Sequence, residues 1–236
     1  MSLLAGSLLA ADAKEEIKAA AAKLGESGYC WKMTTESAGG GGGGGGGGRM
    51  TPGPVEGKAG KDGTICLKMT RGETTTEAFL KGEKGAVKTQ DGWQALSELS
   101  QAGGGGGGGG GKGRGNFLGR MLRNYKAPAV QAAEIVGKVK ELTKDGDACA
   151  GALTEEGAKS LMTLGARGGN APEVSDAKGT FKAWVKDGVL AKYQYNVQGK
   201  MSFNGNEREI NRTVTVEIKD VGKTAVEVPA EAKSKM

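Results

Sequence analysis

The chain has 236 residues, a net charge of +6 from 33 Lys and Arg against 27 Asp and Glu, and 45 glycines. It has no histidine, which excludes Ser-His-Asp triads, Cys-His pairs and every His-containing metal site, and removes the usual general acid/base near neutral pH. The basic residues are scattered and only 5% of residues are aromatic, so no nucleic-acid surface is expected.

Residues 1–11 are small and apolar, with Leu3, Leu4, Leu8 and Leu9 among Ala, Gly and Ser. They read either as the remnant of a signal peptide running into a small-residue cleavage zone or as an extension of the following helix. Neither this stretch nor any other apolar run approaches the ~20 residues of a membrane-spanning helix, so no transmembrane segment is expected. Residues 12–236 read as one domain. Asp12 with Glu15 makes a capping box, Ile17, Ala20, Ala21 and Leu24 form an apolar stripe, and Gly25 stops the helix.

Tyr29, Trp31 and Met33 then alternate with Cys30, Lys32 and Thr34, the pattern of a strand with one packed face. A run of ten glycines follows at 39–48, and a second run of nine stands at 103–111. Polyglycine loses most entropy on ordering, so both are expected to be disordered loops. Residues 106–112 match part of a phosphate-binding loop, but Gly113 stands where Ser or Thr should hold magnesium and no strand leads in, so a surface insertion is the expectation.

Between the two runs the chain reads as a series of short strands. Residues 55–60 make one. Ile65, Leu67 and Met69 alternate with Cys66, Lys68 and Thr70 in the next, 74–81 is a third, and 82–85 is a hairpin loop returning through 86–89. Asp91-Gly92-Trp93 turns into a short helix over 94–99, with Trp93 as a packing anchor. Cys30 and Cys66 fall on the polar sides of strands that could be neighbours. A disulfide between them and three free thiols, counting Cys149, both stay open.

Leu118, Met121, Leu122 and Tyr125 stand at helical spacing over 117–125. Pro128 opens the longest helix, to about 142, with Ile135, Val139 and Leu142 as its stripe. A short strand over 147–153 leads to Thr154, which caps a helix ending near 164. The pairs Glu15-Glu16 and Glu155-Glu156 lie in first helical turns, where they complement the dipole rather than form a catalytic pair.

From 181 onward the chain is strand after strand. Phe181, Ala183 and Val185 alternate with polar partners up to the Asp187-Gly188 turn. Tyr193, Tyr195 and Val197 do the same, Asn204-Gly205 turns again, and Val214, Val216 and Ile218 follow. Val226 and Val228 close the run as a last strand before Pro229. Strands in runs with segregated helices predict an α+β fold: a strongly curved antiparallel sheet or unclosed β-barrel of about 8–11 strands, its concave side covered by helices.

Residues 82–96 (GEKGAVKTQDGWQAL), the helical middle 117–164 and the closing strands 181–229 together resemble LolA/LppX-type lipoprotein-carrier-like proteins of bacterial envelopes. The resemblance is one of pattern over about four-fifths of the chain, which departs from it in its glycine runs and in lacking a lipobox cysteine. It implies an unclosed antiparallel barrel under a helical lid that carries acyl chains or lipoproteins. With histidine absent, the expectation is a non-enzymatic periplasmic or secreted protein, without cofactor or metal, that holds a lipid or acyl chain. The candidate lining is Trp31, Met33, Leu67, Met69 and Tyr195. The alternative is a structural or interaction module of the envelope with a filled core, no ligand and a protein partner.

Overall fold

The alternation of apolar and polar residues carries through into strand register. The computed structural model describes residues 4–38, 53–101, 112–163, 172–203 and 206–236. Its strands are β1 (Tyr29–Ser37), β2 (Val55–Ala59), β3 (Ile65–Arg71), β4 (Thr74–Lys81), β5 (Lys84–Thr89), β6 (Gly92–Ala95), β7 (Thr143–Asp145), β8 (Ala148–Ala152), β9 (Glu173–Lys186), β10 (Val189–Phe203) and β11 (Asn206–Lys219). The helices are α1 (Leu4–Gly25), α2 (Leu96–Gln101), α3 (Lys112–Arg123), α4 (Pro128–Val136), α5 (Glu155–Met162) and α6 (Ala230–Lys233).

All eleven strands join one antiparallel sheet in the order β6-β5-β4-β3-β2-β1-β11-β10-β9-β8-β7. Two meanders meet where the first strand pairs with the last. The sheet does not close, since β6 and β7 are its free edges, and the segment carrying α2, α3 and α4 links one edge to the other. This is the unclosed antiparallel sheet expected, and its width is compatible with a curved one.

Residues opposite one another in an antiparallel pair point to the same side. Trp31 stands opposite Gly57 and Ile218, Gly57 opposite Leu67, and Leu67 opposite Ala78. Met33 stands opposite Val216, Val216 opposite Tyr193, and Tyr193 opposite Ala183. One apolar face therefore runs in register from Val87 on β5 to Cys149 on β8. It shares a single core with the helices: Ile17, Ala20, Ala21 and Leu24 of α1 and Ala132, Ile135 and Val136 of α4 are buried in it. α1 lies against α4 and β10, and Lys14 Nζ ties it down by donating to the carbonyls of Val139 (2.5 Å) and Lys140 (2.9 Å).

The opposite face is polar. Gln194 donates to Thr215, and Asn196 donates to Asn211 and Thr213 across β10 and β11. Over β3 to β5 this face carries a small second cluster, in which Cys66, Phe79 and Ala86 are buried with Ala232 of α6, and Trp93, Val226, Val228 and Met236 pack around them.

The Asp187-Gly188 turn forms as expected. Lys186 pairs with Val189 across a two-residue loop whose residues take φ of 55° and 72°, the geometry that matches strand twist. Other boundaries differ. α1 already runs from Leu4, so Asp12 lies inside the helix and not at its cap. Gly92–Ala95 forms the edge strand β6 before α2 begins at Leu96. α3 begins at Lys112, earlier than the spacing of Leu118 to Tyr125 indicates.

α4 stops at Val136, six residues short of the expected end. Val139 and Leu142 are buried all the same, because Val139 bridges to Leu153 and brings the chain down to β7. Val226 and Val228 form no strand. They lie in an irregular tail on the polar face, where they pack on the small cluster. The glycine runs 39–48 and 103–111, and the Asn204-Gly205 turn, lie outside the described residues.

The Cys30–Cys66 disulfide does not form, and all three cysteines are free. Lys58 of β2 stands between the two, opposite each of them. Two inter-strand spacings, about 10 Å, exceed the reach of a disulfide.

Candidate functional site

The five expected lining residues share the apolar face and divide into two groups. Trp31 and Leu67 flank Gly57, while Met33 and Met69 flank Val55, so four of them form one patch on β1 to β3. Tyr195 sits apart on β10, opposite Phe181 and Val214.

Exposure separates them again. Trp31 (3%), Leu67 (0%) and Tyr195 (4%) are sealed into the core, whereas Met33, Val55 and Met69 are only partly buried. Leu118 and Met121 of α3 are also partly buried against this core. The partly open apolar surface on β1 to β3 is thus a row of two methionines and a valine. Methionine is unbranched and polarizable, and fits irregular partners.

Trp31 is held in place rather than offered to a ligand. Its ring lies over Gly57, where an added Cβ would come within 2.1 Å of Cζ2, so only glycine fits beneath it. Tyr125 stacks on the ring with centroids 6.4 Å apart and planes 19° apart, and Tyr29 tilts against it at 5.7 Å. The indole Nε1 is buried and faces the Tyr125 hydroxyl without forming a well-aligned hydrogen bond. The Tyr29 hydroxyl accepts the Ala129 backbone N–H at 3.4 Å, in the first turn of α4, a helix whose N-terminus has no side-chain cap of its own.

All four tyrosines of the chain belong to this interior. Burial pushes the Tyr29 hydroxyl up to about 12, with the Ala129 N–H acting weakly against it. Burial likewise raises Tyr125, Tyr193 and Tyr195 above the ordinary tyrosine value, with neighbouring tyrosines adding to the first two, the Trp31 indole opposing the rise at Tyr125 and Arg212 opposing it at Tyr195. The hydroxyls thus stay neutral, and Tyr193 donates to Gln131 Oε1 of α4 at 2.5 Å.

Two residues escaped the sequence reading. Tyr125 was assigned to a helical stripe, and its ring reaches Trp31 from the turn after α3. Arg212 is the other: the alternation Arg212, Val214, Val216, Ile218 places it on the apolar face, opposite Val197 and Ser37. Its parity was the available signal.

Among the described residues no group of three or more His, Cys, Asp or Glu is placed to hold a metal ion, and no helix is long and apolar enough to cross a membrane. No family model matches the chain, and no curated protein matches it significantly.

Proposed function

We propose that the protein is a non-enzymatic binding protein of the bacterial cell envelope, periplasmic or secreted, that shelters an apolar guest such as a lipid or a lipoprotein acyl chain. In this reading the eleven-stranded sheet curls, and the helices form the cover on its hollow side. The observation that carries the reading is the apolar face in register across the sheet, with the partly exposed row Met33, Val55 and Met69 on β1 to β3. The envelope placement rests on the resemblance to lipoprotein carriers. Each methylene removed from water contributes about 0.8 kcal/mol, so a guest burying only part of its chain along this row would still be held.

Titration with the apolar fluorophore N-phenylnaphthylamine tests this. The protein should bind the probe with saturation, and Met33→Asp with Met69→Asp should remove most of that binding while the far-UV circular dichroism is kept. Absence of saturable binding by the unaltered protein would overturn the reading.

The second reading, a structural or interaction module with a filled core, is favoured by one feature: Trp31 is packed between Gly57 and Tyr125 and leaves no space at that point. A protein that binds no probe and pairs with a specific protein partner would support it.

A further inference from the structure

The apolar face carries a half-buried cation. Arg212 of β11 has the same parity as Val214 and Val216 and lies between Ser37 of β1 and Val197 of β10. Its side chain rises to the helical layer, where Nη2 donates to the backbone carbonyl of Leu161 in α5 at 2.8 Å. That bond occupies one of five guanidinium donors. Nε is buried without any hydrogen-bond partner among the described residues. Nor does a carboxylate reach the group: the ion pairs among the described residues are all made by lysines.

A half-buried guanidinium beside Tyr195 and Val197 is costly unless an anion compensates it, and the Leu161 carbonyl supplies only a dipole. A structural helix clamp explains Nη2. It accounts neither for the absence of a counter-ion nor for the unpaired Nε among the described residues.

We propose that Arg212 is the anion-recognition point of the binding site and receives the carboxylate of a long-chain fatty acid whose hydrocarbon lies along the apolar face. This rests on the carrier reading above and names its ligand class. The low surrounding polarity strengthens a charge-assisted hydrogen bond, and the planar guanidinium fork matches a carboxylate.

The experiment compares oleate with methyl oleate, the same chain without the charge, as displacers of N-phenylnaphthylamine. The unaltered protein is expected to bind oleate about tenfold or more tightly than the ester. Arg212→Met, which keeps the aliphatic stem and removes the guanidinium, should abolish that preference. Arg212→Lys should keep part of it.

Equal affinity for oleate and its ester in the unaltered protein would overturn the role of Arg212 and leave the carrier reading standing. Binding of neither would overturn both. The comparison of the two ligands on the unaltered protein needs no substitution, so it decides the matter even if a variant fails to fold.

Discussion

Trp31 organises its surroundings through what lies beneath it. Gly57 provides a bare patch of strand, the ring fills that patch, and Tyr125 closes over the ring. The sequence places Trp31, Met33, Leu67 and Met69 on one face by period-2 alternation alone. It does not reveal that Trp31 meets Gly57, because that depends on the register of β1 against β2, and the glycine run 39–48 between them carries no register signal.

The four tyrosines lead to a prediction at the same scale. Each has a folded-state value above the ordinary 10.0, and Tyr29 reaches about 12. A group raised on folding contributes stability that is complete below its unfolded value and lost as pH rises toward its folded one. Stability should therefore hold to about pH 10 and fall between pH 10 and about 12. Tyrosinate absorbance should then appear together with loss of circular dichroism in a single transition. Tyrosinate formation well below that transition, in a protein still folded, would contradict the burial of these hydroxyls.

Among the elements, strands with a buried and a solvated face were legible, and so was the Asp187-Gly188 hairpin, whose turn chemistry is local. The end of α4 was not. Ile135, Val139 and Leu142 keep helical spacing and all three are buried, yet Val139 reaches the core from a bridge to Leu153. Two different backbones satisfy the same pattern, and only the long-range pairing decides between them. Val226 and Val228 mislead in the same way, since their alternation serves packing on the polar face and not a strand.

The tail that carries these valines has a measurable role. With Ala232 and Met236 it packs around Cys66, whose thiol is raised above its ordinary value chiefly by burial, with Glu77 adding to the rise. Deleting residues 225–236 should expose Cys66 and Phe79. Thiol labelling followed by site-resolved mass spectrometry should then find Cys66 modified several-fold faster and Cys149 as protected as before. Unchanged protection of Cys66 would mean that the tail does not shield it.

For the whole molecule, the decisive contact joins the two ends of the chain. β1 pairs with β11 in the middle of the sheet, so two meanders fuse into one apolar face and leave β6 and β7 as free edges. Local signals announce each meander, but pairing across nearly two hundred residues leaves no local trace. The candidate site was legible to a similar extent. The methionine and aromatic residues were assigned to the right face. The separation into a sealed core (Trp31, Leu67, Tyr195) and a partly open row (Met33, Met69) depended on which elements pack above them.

Whether this face holds a guest is open to direct measurement. Native mass spectrometry of the full chain, purified without detergent and followed by solvent extraction, tests it most directly. A lipid-carrying protein gives a population heavier than the bare chain by the mass of an acyl lipid, which the solvent releases and oleate restores. A single species at the mass of the bare chain, unchanged after incubation with oleate, would contradict it.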